Sequence, residues 1–267
     1  FLPGPYATQM LADMGASVIK VEPPAGDPMR RMGPATGLAF TGDGGTVPRS
    51  PYYDTVNAGK TVVAIDLKSG DGKQAFKTLI RSADVLLESY RPGVLDHLGF
   101  NRETLETLNP GLVHCALSGY GQTGPKRLRS GHDINYVSST GAFSASGTKE
   151  RPVMTWPPTA DYASAQQSVV AILGALLARS RPGPRQGKGA YLDISLAESM
   201  LAWQAWGMTA AGEGEALGRE QNLLNGGAAC YQFYATKDDR FISLGALEAH
   251  FWANFCNAVE RPDWIAR

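Results

Sequence analysis

Residues 60–117 read KTVVAIDLKSGDGKQAFKTLIRSADVLLESYRPGVLDHLGFNRETLETLNPGLVHCAL, and the alternation inside this stretch decides the fold class. Three short apolar segments, at 61–67, 84–88 and 112–117, are β-prone and predict strands. Between the first two, residues 71–82 predict a helix. Between the second and third come two shorter helical stretches, 94–98 and 102–108, the latter with Asn101 as its cap. Apolar strands alternating with helices imply a parallel sheet covered on both faces, an α/β fold. Upstream, 5–14 predict a short helix and 16–22 a buried strand stopped by Pro23-Pro24. Residues 26–51, dense in Gly, Pro and Thr, predict a loop; its GDGG at 42–45 lacks the Lys-Ser/Thr of a phosphate-binding loop. Downstream, 161–179 predict a long helix, 180–189 a Pro/Gly/basic linker, 190–194 a strand and 196–208 a helix. Residues 210–227 read as loop, 228–235 and 241–244 as a hairpin around 237–239, and 248–259 as a last helix.

Composition excludes several classes. The 267 residues carry 43% apolar and 19% charged side chains with a formal net charge of zero, which points to a globular protein with no global attraction to nucleic acid or anionic membrane. The longest apolar run, 168–178, is too short to span a bilayer. Three widely spaced cysteines, Cys115, Cys230 and Cys256, show no CxxC pairing and read as reduced thiols of an intracellular protein. No His/Cys cluster has metal-ligand spacing, so no metal is expected. No GxGxxG opens a helix, and there is no GxSxG or Cys–His signature for Ser or Cys hydrolase chemistry.

The chemistry-bearing loop follows the strand at 112–117. Residues 118–136, SGYGQTGPKRLRSGHDINY, combine Gly- and Ser-rich backbone, the cations Lys126, Arg127 and Arg129, and His132, a residue type suited to moving protons. The end of a parallel strand is where α/β folds collect ligands. Asp161, at the start of the long helix, reads either as an N-cap or as a carboxylate held ready as base or nucleophile. Glu248 opens the last helix. Arg91, in YRPG, reads as a surface residue or, with Lys60 and the 126–129 cluster, as a phosphate ligand.

Taken together, PGP…LADMGASVIKVE, NAGKTVVAIDLKSGDG, ADVLLESYRPGVLDHLGF, SGYGQTGP, GHDINY, QGKGAYLDIS and the NGGA…GALEAHF segment resemble the family III CoA-transferase (CaiB/BaiF-like) superfamily across nearly the whole chain. GHDINY and the hairpin leading to GALE resemble its α-methylacyl-CoA racemase branch. The resemblance implies a Rossmann-like large CoA-binding domain at 1–180, a linker and connecting strand at 181–195, and a smaller α+β domain at 196–267. It also implies an interlocked homodimer, an expected first strand before PGP, and a returning segment after Arg267.

For chemistry, the resemblance implies an enzyme that removes and returns the proton α to a thioester carbonyl, interconverting (2R)- and (2S)-2-methylacyl-CoA through an enolate. His132 and Asp161 form the acid/base pair and Glu248 supports the histidine. The N-terminal amides of the helix near Asp161 are expected to stabilise the enolate oxygen. Arg91, Lys126, Arg127, Arg129, Lys60 and Arg30 are the expected contacts for CoA phosphates. Coenzyme A enters as part of the substrate, with no permanently bound cofactor, no nucleic-acid partner and no membrane. The expected compartment is the cytoplasm, or a peroxisome or mitochondrion in a eukaryote. The same fold hosts CoA-transferases, in which Asp161 would be the nucleophile that forms an aspartyl-CoA intermediate. The sequence departs from the racemase pattern at Pro157, where an Asn is usual, and at 162–165, where YASA replaces a Gly-rich run.

Overall fold

A computed structural model describes residues 2–32 and 50–266. The GDGG of 42–45 lies outside the described residues. In chain order the first unit begins with α1 (Pro3–Asp13), β1 (Ile19–Glu22), a 3-10 turn at Pro28–Arg31, α2 (Pro51–Asn57) and β2 (Thr61–Ala64). It continues with α3 (Gly70–Ser82), β3 (Val85–Glu88), α4 (Val94–His97), α5 (Arg102–Leu108) and β4 (Val113–Ser118). Then follow α6 (Asp133–Ser139), α7 (Ala142–Ala145), α8 (Thr159–Ser180) and β5 (Ala190–Ser195). The remaining elements are α9 (Leu196–Ala202), α10 (Ala205–Gly212), β6 (Tyr231–Ala235), β7 (Phe241–Gly245), α11 (Ala249–Ala258) and a 3-10 turn at Pro262–Trp264.

Among the described residues the parallel strands form two sheets. β1 pairs with β2, and β3-β4-β5 form a three-stranded sheet in that order. β4, at its centre, is buried along its whole length. Side chains alternate between the two faces of a strand. On one face Cys115 lies against Ser168 of α8; His114, the preceding residue, projects to the other. α8 packs on β4, β5 and α1, and its buried Ala163, Ser164, Ala165 and Ser168 permit the close approach. The two serine hydroxyls donate to carbonyls of their own helix, Ser164 to Asp161 and Ser168 to Ser164, so no polar group is stranded there.

A core of Phe76, Ile80, Leu95, Phe100, Leu105 and Leu112 joins α3, α4 and α5. Phe76 and Phe100 meet edge-on at 4.8 Å between centroids. Each of these large side chains stabilises the unit by roughly 1.5–3 kcal/mol through burial. Local signals set the helix starts. Asn101 Oδ1 accepts the Thr104 N–H at 2.9 Å, as the sequence predicts, and Ser69 Oγ accepts the Gly72 N–H at 3.0 Å.

The chain divides differently from the expected 1–180, 181–195 and 196–267. One unit comprises Phe1–Tyr136 and Pro157–Met200, the other Val137–Trp156 and Leu201–Arg267. Residues 190–195 form the strand expected there: β5 pairs in parallel with β4 over six residues. Ahead of the long helix lie α6 and α7, for which the sequence offered no expectation of a helix, and the single helix expected at 196–208 is two, α9 and α10. The second unit holds the predicted hairpin, β6 antiparallel to β7, with Asp239 at positive φ in the turn. No helix among the described residues is long and apolar enough to cross a membrane.

Candidate active site

The loop that leaves β4 is shaped around one aromatic ring. Tyr136, in α6, donates its hydroxyl to the Gly131 carbonyl at 2.8 Å and meets Tyr120 edge-on at 5.1 Å. A Cβ added at Gly119 would collide with the Tyr136 hydroxyl oxygen, and one at Gly131 would lie 2.8 Å from its ring. Only glycine fits at both positions. The ring thus draws the two ends of the loop together and delivers His132 to the start of α6. There the His132 carbonyl accepts the Asn135 N–H at 2.8 Å and its own N–H donates to Asn135 Oδ1 at 2.9 Å. The imidazole itself is exposed.

The next residue joins this segment to the long helix. Asp133 Oδ1 accepts the N–H of Ala160 at 2.7 Å and of Asp161 at 3.1 Å. These are free first-turn amides of α8, where an anion is favoured. Two sequence expectations change here. Asp161 is not the N-cap: α8 begins at Thr159 after Pro158, and Asp161 sits in the first turn. Its amide and that of Ala160 are also not open to an enolate oxygen, because Asp133 already occupies them. Asp133 is the residue at this junction that sequence reasoning did not single out. The signal was present in an acidic residue directly after His132, but the partner it caps is 27 residues away.

Asp161 is half-buried, and its environment moves its proton affinity. Burial raises its carboxyl from the ordinary 3.8 to about 6, the negative charge of Asp133 adds to the rise, and His132 opposes it. A carboxyl at about 6 can hold or release a proton near neutral pH. Tyr162 leads away from it to meet Tyr6 edge-on at 4.7 Å. Tyr162 packs with Tyr52 against the cluster of Leu2, Met29, Tyr53 and Val56. Burial, then the neighbouring Tyr162 and the Asp161 charge, raise Tyr52 to about 12. The YASA departure therefore places aromatic surface beside the carboxylate.

The expected cations separate into two groups. Lys126, Arg127 and Arg129 are exposed on the 118–132 loop, with Lys126 5.9 Å from the Tyr120 ring centroid. Among the described residues no ion pair engages any of the three. Arg91 tethers this loop through Nη2 to Ser130 Oγ at 2.7 Å. Lys60 and Arg30 are occupied elsewhere. Lys60 Nζ donates to the Pro5 and Val56 carbonyls and to Asn57 Oδ1, at 2.8, 2.7 and 3.1 Å, and burial lowers it to about 8. Its three donors are taken. Arg30 forks onto Glu22 through Nε at 2.7 Å and Nη2 at 3.3 Å, with Nη2 also on the Tyr53 hydroxyl at 2.7 Å. Tyr53 in turn donates to Glu22. Burial would push Glu22 up, but these bonds, the Asp27 N–H and the Lys20 charge leave it lowered. Glu248 is exposed and stands at the N-cap of α11 in the second unit, with no capping bond from its side chain.

A family model described as CoA-transferase family III matches residues 1–267. The chain is 32% identical over 273 residues to an acetyl-CoA:oxalate CoA-transferase of Acetobacter aceti, covering 98% of this chain and 64% of that protein. It is 34% identical over 256 residues to the human alpha-methylacyl-CoA racemase, covering 94% of this chain and 59% of that protein. The crystal structure of a CAIB/BAIF family protein from Brucella suis superposes with a TM-score of 0.82 at 28% identity, covering 100% of this chain and 68% of that one. The chain thus spans about three-fifths of the length of these two curated relatives.

Proposed function

The chain belongs to CoA-transferase family III, and from that premise we propose that it acts on acyl-CoA thioesters as a racemase or epimerase of 2-methyl-branched acyl groups. One observation carries the reading: Asp133 ties the segment bearing His132 to the first turn of α8 bearing Asp161, whose carboxyl is set at about 6. Inversion at the α carbon needs a base on one face of a planar enolate and an acid on the other. Asp161, poised near neutrality by burial and by Asp133, serves as one group, and the exposed imidazole of His132 as the other. Lys126, Arg127, Arg129 and Arg91, carried on or tethered to the same loop, steer the CoA phosphates. An interlocked homodimer in which Glu248 supports the histidine of the facing subunit completes the proposal.

The test is deuterium incorporation at the α carbon of a 2-methylacyl-CoA in heavy water. Exchange is expected in the unaltered protein and lost in both His132→Ala and Asp161→Asn. Absence of exchange above background in the unaltered protein sinks the racemase reading.

A second reading draws on relatives named as CoA-transferases, including the oxalate enzyme and a human succinyl-CoA:glutarate CoA-transferase 32% identical to this chain. In it the Asp161 carboxylate attacks the thioester carbonyl and expels CoA thiolate, forming a mixed anhydride. The thiolate then attacks the aspartyl carbonyl and releases the free acid, leaving an aspartyl-CoA thioester for the incoming carboxylate. Hydroxylamine trapping at Asp161, with activity retained in His132→Ala, selects this route. Transfer activity surviving in Asp161→Asn eliminates it.

A further inference from the structure

Residues 121–129 of the loop that leaves β4 carry Lys126, Arg127 and Arg129, and their hold on the rest of the fold is narrow. Ahead of them the Gly119 carbonyl accepts the Ala197 N–H at 3.1 Å, from the start of α9, and the Ser195 hydroxyl at 3.4 Å. Behind them Arg91 tethers Ser130, and Tyr136 holds the Gly131 carbonyl. Inside the span the Arg127 N–H donates to the Gly124 carbonyl and the Arg129 N–H to that of Lys126. Those bonds curl the loop on itself without fixing it to the sheet. Among the described residues a single side chain hydrogen-bonds to this span from outside the loop. It is Asp193 of β5, whose Oδ1 and Oδ2 both accept the Gln122 N–H at 3.0 Å. Gly121 turns the chain at that point with φ +82°, a conformation glycine adopts without strain. Asp193 itself is a fixed point, paired in the sheet opposite Ala116 of the buried β4.

We propose, resting on the reading that the 126–129 cations take CoA phosphates, that Asp193 is the positioning residue that holds those cations in place for the ligand. An ionised acceptor makes a stronger bond to a backbone N–H than a neutral one. A loop ordered in advance gives up less conformational freedom when it closes on its ligand. Without the Gln122 bond the stretch from Gly119 to Ser130 would be held at its two ends alone, and CoA would have to order it on binding. The charge of Asp193 works against an anionic ligand, so its two properties can be told apart. Asparagine keeps an oxygen for the Gln122 N–H and drops the charge; alanine drops both.

Calorimetric titration of the whole chain with CoA tests this without requiring turnover. Asp193→Ala is expected to weaken CoA binding about tenfold, and Asp193→Asn to keep it within about twofold or tighten it. A triple variant, Lys126→Ala with Arg127→Ala and Arg129→Ala, is expected to bind CoA weakly in its own right. Adding Asp193→Ala to it should change affinity by less than about twofold, because the aspartate acts through cations that are gone. A general loss of structure would instead weaken both backgrounds equally. Trypsin, which cuts after Lys and Arg, should cleave at 126–129 faster in Asp193→Ala and at the parental rate in Asp193→Asn. Asp193 is exposed, so circular dichroism of both single variants is expected to match the unaltered protein. Parental affinity or parental cleavage in Asp193→Ala overturns the positioning role. So does an asparagine variant as weak as the alanine one, or a full loss that persists in the triple background. Parental affinity in the triple variant overturns the phosphate reading itself, and the positioning role with it.

Discussion

Replacing Asp161 with asparagine should abolish turnover and at the same time stabilise the fold. The carboxyl is raised from 3.8 to about 6, chiefly by burial and next by Asp133. Because its folded value lies above its unfolded one, its neutral form favours the folded state. That contribution is complete below about pH 3.8 and is lost as pH rises through about 6. Above that range the ionised group is a burden of about 3 kcal/mol. Asparagine removes it while giving up a favourable interaction of about 0.3–1 kcal/mol between an anion and the first turn of α8. Solvent screening of a half-buried group reduces the gain further, so the net expectation is on the order of 1–2 kcal/mol at pH 7.5. Urea unfolding of both proteins at pH 7.5, 6 and 4.5 reads this directly. The difference should shrink steadily toward acid, to about a third of its pH 7.5 value at pH 4.5. An asparagine variant less stable than the parent at pH 7.5, or a difference that ignores pH, would refute the reasoning.

Asp133 separates shape from charge. Asp133→Asn keeps an oxygen for the Ala160 and Asp161 amides and should cost a few tenths of a kcal/mol, whereas Asp133→Ala loses the cap at about 1–2 kcal/mol; both should move the acid limb of the rate profile to lower pH, since each removes the charge that raises Asp161. Lys60→Met should lower the denaturation midpoint without a selective rise in KM for acyl-CoA, because its donors serve Pro5, Val56 and Asn57. Lys126→Ala, Arg127→Ala and Arg129→Ala should do the reverse, raising KM in a way that fades with added salt; equal effects on KM from Lys60→Met would return that lysine to the phosphate site.

Much of the first unit was legible because its signals are local. The Asn101 cap, the 102–108 helix and the apolar β-prone runs at 84–88 and 112–117 follow from residues within a few positions of one another. The boundaries of the long helix were not. Asp161 looks like a cap by type and place, but Pro158 precedes the first turn and the capping oxygen comes from Asp133. α2, α6 and α7 were missed for a related reason. They are short helices of four to seven residues, and such lengths owe their stability to tertiary packing rather than propensity.

By itself the sequence determined the α/β class, the parallel strands, the family, and the residue types available for proton transfer at His132 and Asp161. These rest on periodicity and on motifs contiguous in the chain. Only the tertiary structure decided what those residues are free to do. It gave the α8 amides to Asp133, tied Lys60 to backbone carbonyls and Arg30 to Glu22, left the 126–129 cations exposed, and buried His114 beside Glu88. Hydrogen-bond partners and desolvation depend on which distant segments meet, and in a fold with the sheet order β3-β4-β5 those meetings span tens of residues.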